Sequence, residues 1–165
     1  LKTLFLRAAR FGWQFIFVAF GIVACDGRDP GMASSMTDNV TEQVPFNPEQ
    51  SQAWRASQDH WRLINYWAEW CKPCVTEIPE LNELHAAGDV IVFGYNYDGL
   101  SGDKLESSMQ RLGIEFEPLS GDPADHFELE ALQVLPVSLL ITPAGELSQV
   151  LYGPQSAKKI MALIQ

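Results

Sequence analysis

Apolar residues fall into short blocks along the chain, and their spacing switches between two periods. "RLINYWA" (62–68) is a short apolar and aromatic run bounded by charge, the pattern of a buried strand. In "CKPCVTEIPELNELHAAG" (71–88), Val75, Ile78, Leu81 and Leu84 recur at helical intervals and Gly88 closes the run. "DVIVFGYNYD" (89–98) predicts a second strand. "SGDKLESSMQRLG" (101–113) predicts a helix, with Ser101 as cap, Leu105, Met109 and Leu112 as its apolar face and Gly113 as its stop. "DHFELEALQ" (125–133) predicts another short helix. "VSLLITPAGELSQVLYG" (137–153) is two apolar runs joined by "TPAGE", a hairpin signal, and "SAKKIMALIQ" ends the chain as a helix with Ile160, Leu163 and Ile164 on one face. Strand–helix–strand–helix followed by hairpin–helix implies an α/β fold. Its central mixed β-sheet is flanked by helices, parallel in the first half and antiparallel at the end.

The first 24 residues follow a different logic. A basic start (Lys2, Arg7, Arg10) precedes an apolar stretch from Phe11 to Val23, the layout of a secretory signal peptide. That stretch is shorter than the roughly 20 residues a membrane-crossing helix needs. The ending "IVAC" resembles the lipobox of bacterial lipoproteins, in which the cysteine, here Cys25, is lipidated and becomes the mature N-terminus. Asp26 then resembles a signal for retention at the inner membrane. Residues 25–49 are rich in Gly, Pro, Ser, Thr and Asp without a sustained apolar period and read as a flexible tether, with only "EQVPF" hinting at an extended piece. The regular pattern occupies residues 50–165, enough for one domain with a core of its own. A formal charge of −10 argues against nucleic acid as a partner, since a phosphate backbone demands a basic surface.

The chain has three cysteines, and an odd thiol in an exported protein calls for an explanation. Lipidation of Cys25 supplies one and leaves Cys71 and Cys74 as a local pair. At the first turn of the helix after strand 62–68, the Cys71 sulfur lies near backbone N–H groups that have no intrahelical partner, which favours thiolate. Cys74, three residues on and on the same face, is within reach to resolve a mixed disulfide. Lys72 adds a positive charge nearby, and Pro73 costs no hydrogen bond in the first turn while stiffening the bend. The competing reading is half of a tetrahedral zinc site. Zinc would need two further ligands, and the chain offers only Cys25, His60, His85 and His126 without paired spacing.

"NYWAEWCKPC", followed by Glu77 and Pro79, resembles the thioredoxin superfamily, in particular the exported TlpA/ResA/DsbE-type thiol-disulfide oxidoreductases. The resemblance covers roughly residues 50–165 and implies a thioredoxin-like fold. Thioredoxin has a buried aspartate six positions before the first cysteine; here that position is Asn65, and an amide cannot take a proton. The acid–base task then passes to Glu77, which the family pattern places three residues after the second cysteine, beside the resolving sulfur. Burial would raise the Glu77 pKa toward neutrality. Pro79 matches a family proline that shapes the helix. In "VLPVSLLI", Leu135-Pro136 matches the cis-proline that faces the two cysteines, which implies an open backbone edge at Leu135 where an extended substrate segment could pair. Trp70 resembles the family tryptophan beside the active site, an apolar platform for a docking protein, whereas Trp67 reads as core.

The resemblance implies a protein-disulfide reductase that works through a mixed disulfide. Its cofactor is none beyond the redox-active Cys71–Cys74 disulfide, and no metal is expected. Its partners are protein disulfide substrates, a membrane dithiol electron donor and the membrane itself through lipidated Cys25, at the periplasmic face of the bacterial inner membrane. A lysine–proline pair between the cysteines and a carboxylate opposing thiolate formation favour a reductant over an oxidant. A disulfide oxidase or isomerase is the alternative within the class, and a copper- or metal-binding chaperone of the same fold the alternative outside it.

Overall fold

A computed structural model describes residues 45–165, so the signal peptide, Cys25 and most of the tether expected from the sequence lie outside the described residues. A 3₁₀ turn (Pro48–Gln50) leads into α1 (Gln52–Ala56), β1 (Trp61–Trp67), α2 (Lys72–Ala87), β2 (Val90–Asn96) and α3 (Gly102–Leu112). Then come β3 (Glu117–Pro118), α4 (Pro123–His126), β4 (Val137–Ile141), β5 (Leu147–Tyr152) and α5 (Ala157–Leu163). The five strands form one mixed sheet in the order β3-β2-β1-β4-β5. β1 runs parallel to β2, with Leu63 opposite Val92 and Asn65 opposite Gly94, and antiparallel to β4, with Asn65 opposite Ser138.

The central position of β1 explains its composition. A strand covered on both faces must be apolar on both, and every β1 residue from Arg62 to Trp67 is buried. Leu63 and Trp67 face one core with Ile78, Leu81 and Leu84 of α2, Val92, Phe116 and Ile160. Ile64 and Tyr66 face the other with Phe93, Leu139 and Ile141, closed by Trp54, Leu119 and Ala124. Packing of the first layer leaves no room on β2: a Cβ at Gly94 would lie 2.9 Å from the Phe116 ring and 3.0 Å from Trp67 Nε1. Arg62 is buried among these apolar groups, with its guanidinium 4.6 Å from the centre of the Trp54 ring. That cation–π contact compensates part of its desolvation, which pushes its pKa below the usual arginine value.

Three features differ from the sequence expectation. The helix expected over 125–133 is instead α4, which starts at Pro123 because Asp122 caps it, Oδ1 accepting from the Ala124 N–H at 2.9 Å. It ends at His126; Glu128 adopts φ 53°, and the chain onward to Leu135 is irregular while Leu129 and Leu132 pack against the second core. The packed chain also takes in Phe46, ahead of the boundary expected at residue 50. Its ring is buried and meets Trp54 and His126 edge-on at centroid distances of 5.6 and 5.5 Å. Around it Pro45 and Asn47 form no strand, so the described part of "EQVPF" is anchored by one aromatic side chain rather than by sheet pairing.

Candidate active site

β1 delivers the chain to the end of the sheet where Cys71 begins α2. The turn is tied on both sides: Cys71 N–H donates to Ala68 O at 3.1 Å, and Tyr97 N–H donates to Trp67 O at 2.9 Å. Cys71 is the N-cap of α2 in extended conformation, with Lys72 and Pro73 as the first two helical residues. Because Pro73 has no N–H, the first turn presents few free donors, and that of Cys74 points at the sulfur: Cys74 N–H donates to Cys71 Sγ at 3.2 Å. A helix N-terminus directed at sulfur favours negative charge on it. Cys71 and Cys74 are joined as a disulfide with Cα atoms 5.3 Å apart, and both are buried. Lys72 is exposed.

One turn further along α2, Glu77 is only 2% exposed. Its carboxylate is held from two sides. Asn65 Nδ2 on β1 donates to Oε1 at 2.7 Å, and the main-chain N–H of Gln155, in the loop between β5 and α5, donates to Oε2 at 2.7 Å. Asn65 Nδ2 also reaches Ser138 Oγ on β4 at 3.2 Å, across the register pair that sets these two residues side by side. Burial pushes the Glu77 pKa up to about 7, while the Gln155 N–H, the Asn65 amide and the charge of Lys159 pull it part of the way back. A carboxyl group that changes charge near neutral pH, on the helix that carries both cysteines, can accept and return a proton. Pro79 lies inside α2 one turn beyond the cysteines, where it leaves the carbonyl of Val75 without its helical donor.

The Leu135–Pro136 peptide bond is cis. Pro136 is buried, and its carbonyl accepts from Gly153 N–H at 2.9 Å. Leu135 packs against the core that contains Cys71 and Cys74, and among the described residues its main chain makes no backbone hydrogen bond. Trp67 is fully buried, whereas Trp70 is 65% exposed beside Cys71. The Trp70 indole N–H donates to the Asp98 carboxylate at 3.0 Å, and its ring meets Tyr97 edge-on at 6.3 Å. Among the described residues, the large hydrophobic side chains left exposed are Trp70, Tyr97, Val134 and Tyr152. Trp70 adjoins Cys71 in sequence and Tyr97 touches it; Val134 precedes Leu135, and Tyr152 pairs with Val137 next to Pro136.

The structure thus brings Asn65, Cys71, Cys74 and Glu77 into one buried layer, with Leu135 against it and Trp70 on the surface beside it. Three contributors escape a reading by residue type. Gln155 acts through its main chain, Ser138 is set by strand register, and Asp98 is a turn acid after β2 with nothing in its residue type to mark it. The histidines play other parts. His85 Nδ1 accepts from Val92 N–H at 3.1 Å, tying the end of α2 to β2, and His126 packs on Phe46 and Phe127. Among the described residues no group of three or more His, Cys, Asp or Glu side chains is arranged to hold a metal ion.

Comparison with protein-family models finds no match. Among curated proteins, the chain is 26% identical over 144 residues to the thiol:disulfide interchange protein HelX of Rhodobacter capsulatus, covering 84% of this chain and 81% of that protein. It is 32% identical over 105 residues to the thiol-disulfide oxidoreductase ResA of Geobacillus kaustophilus, but that match spans only 58% of the relative's length. Among solved structures, a DsbF homologue from Corynebacterium diphtheriae superposes with a TM-score of 0.57 at 19% identity, covering 84% of this chain and 96% of that one. A thioredoxin-family thiol:disulfide interchange protein from Chlorobium tepidum superposes with a TM-score of 0.55 at 23% identity, covering 66% and 81%. At these identities the structural likeness establishes the fold, which is thioredoxin-like.

Proposed function

We propose that this chain is a thioredoxin-like thiol-disulfide oxidoreductase, as its likeness to such proteins suggests, and that it reduces disulfides of other exported proteins through Cys71 and Cys74. What carries the reading is Glu77: a buried carboxyl titrating near 7, on the same helix as a cysteine pair whose first sulfur caps that helix. In the reduced protein Cys71 thiolate attacks a substrate disulfide, forming a Cys71–substrate bond and releasing the other substrate sulfur as thiolate. Cys74 gives its proton to Glu77 and attacks Cys71 Sγ; the second substrate sulfur leaves, and the Cys71–Cys74 disulfide closes. The substrate leaves two electrons richer, its two thiolates taking up protons from solvent, and Glu77 passes the Cys74 proton to solvent. Lys72 and Pro73 tune the first turn, and Asn65 holds the carboxyl in place.

The substrate edge is Leu135, ahead of the cis Pro136, where an extended segment pairs with the Leu135 main chain, which makes no backbone hydrogen bond among the described residues, while Trp70 supplies an apolar platform. A protein oxidised by each turnover needs recharging, which calls for a dithiol donor at the membrane. Lipidation at Cys25, after removal of residues 1–24, would hold the chain there through the tether. The reading is tested by trapping. Cys74→Ser leaves the mixed disulfide unresolved, so a substrate protein stays linked to Cys71 on non-reducing gels, and Cys71→Ser captures none. Equal capture by both variants would refute the assignment of nucleophile and resolving cysteine.

A further inference from the structure

Glu77 is clasped between β1 and the short loop from β5 to α5, and that loop is braced on itself. The Gln155 side chain folds back so that Nε2 donates to Gly153 O at 2.6 Å and, at longer range, to Tyr152 O at 3.5 Å. Gly153, at φ 78°, donates its own N–H to Pro136 O at 2.9 Å. One continuous series of contacts therefore runs from the Glu77 carboxylate through Gln155 and Gly153 to the carbonyl beside the cis bond. Gln155 is buried, yet among the described residues its Oε1 has no partner. Leaving a buried acceptor unpaired costs about 1–3 kcal/mol, so the orientation of this amide is set by what its donor end does to the loop.

We propose that Gln155 is a positioning residue that couples Glu77 to the Leu135–Pro136 edge, so that an extended polypeptide segment paired along that edge favours the ionised carboxylate, and ionisation favours pairing. The inference rests on the reading of Leu135–Pro136 as the substrate edge. Its physical basis is that an N–H donated to a carboxylate is roughly twice as strong as one donated to a neutral acid, so ionisation draws the Gln155 loop toward α2. A strand paired along Leu135 fixes Pro136 and, through its carbonyl, Gly153. Two events that act on one loop share a coupling free energy, and each promotes the other equally. The consequence for the reaction is timing: the carboxylate is favoured at the mixed-disulfide stage, when Cys74 must lose its proton. Among the described residues, the charge that acts on Glu77 from a facing element is Lys159 of α5; on its own helix Cys74 lies three residues before it and Glu80 three residues after it, the Glu80 carboxylate accepting from Ala157 N–H at 3.2 Å. β1 and β4 contribute the neutral Asn65 and Ser138.

The test uses the chain carrying Cys74→Ser, with Cys71 linked either to the cysteine of an extended alanine-based peptide or to a methylthio group that adds sulfur without main chain. The Glu77 carboxyl carbon is followed by NMR across pH and assigned by its loss in Glu77→Gln. With Gln155 in place, the peptide adduct should titrate lower by about 0.7 pH unit, a fivefold coupling at the low end of those between linked sites. In Gln155→Met, which keeps the length of the side chain and loses its donor, that gap should close; Gln155→Ala serves as a second variant if the first fails to fold. Equal midpoints in the two adducts with Gln155 present, or an unchanged gap in the variants, would overturn the coupling. Reduction of insulin by the unmodified chain is measured alongside. Its absence would count against the oxidoreductase reading, while the adduct titrations still decide the coupling.

Discussion

Replacing Glu77 by glutamine should remove most of the pH dependence of stability between about pH 4.5 and 7. The wild-type carboxyl is raised from 4.5 to about 7 in the folded chain, with burial as the leading cause. In that interval the folded state holds a proton that the unfolded state has released, so wild-type stability falls as pH rises through it and is level above it. At 1.36 kcal/mol per pKa unit the loss is about 3 kcal/mol. Glutamine is neutral throughout, so the variant lacks this loss. It does carry a fixed penalty, because a carboxamide offers one acceptor oxygen to a site where Asn65 Nδ2 and Gln155 N–H both donate. One donor then faces another, at about 1–3 kcal/mol. The variant should accordingly be the less stable protein at pH 5 and match or exceed wild type at pH 8. Urea unfolding of both oxidised proteins at the two pH values reads this directly. Parallel pH profiles for wild type and variant would refute the assignment of the neutral-range proton to Glu77.

Two further perturbations separate packing from recognition. Gly94→Ala places a methyl group 2.9 Å from Phe116 and 3.0 Å from Trp67 Nε1, both fully or almost fully buried, and should lower stability by about 1–3 kcal/mol in thermal or urea unfolding. Stability equal to wild type would mean that the β2–Phe116 layer is looser than described. Trp70→Ala removes a side chain that is 65% exposed, so stability should change by no more than about 0.5 kcal/mol, while KM for a protein disulfide rises severalfold with little change in kcat. A fall in stability with unchanged KM would place Trp70 in the fold rather than at the docking surface.

How much of this was legible beforehand depended on whether a feature resides in residue type or in topology. β1 and α2 were readable because a strand buried on both faces must be continuously apolar, and because Ile78, Leu81 and Leu84 repeat at the helical period. Cys71 and Cys74 are legible from their spacing at the start of a helix, whereas Asn65 and Glu77 enter through the family resemblance, and the fold joins these two by the hydrogen bond from Asn65 Nδ2 to Glu77 Oε1. The short helix departs from its apolar pattern. The apolar spacing of Phe127, Leu129 and Leu132 resembles a helix face, but Asp122 and Pro123 start α4 earlier, and Glu128 turns into the left-handed region so that the same leucines reach the core from a loop. α1 was missed because five residues carry too little periodicity, although Ser51 caps it through Trp54 N–H. Gln155 was invisible for a deeper reason. It meets Glu77 through a main-chain N–H that nearly any residue could supply, and only the return of the chain after β5 brings it there.

Direction of electron flow separates a reductase from an oxidase, and the equilibrium reduction potential of the Cys71–Cys74 couple measures it. Poised against glutathione or a dithiol buffer of known potential at pH 7, the chain should lie near the reducing end of the thiol-disulfide range, at about −270 mV. A potential near about −120 mV would mean that the dithiol is the favoured form and that the protein oxidises its partners, contradicting the reductase assignment.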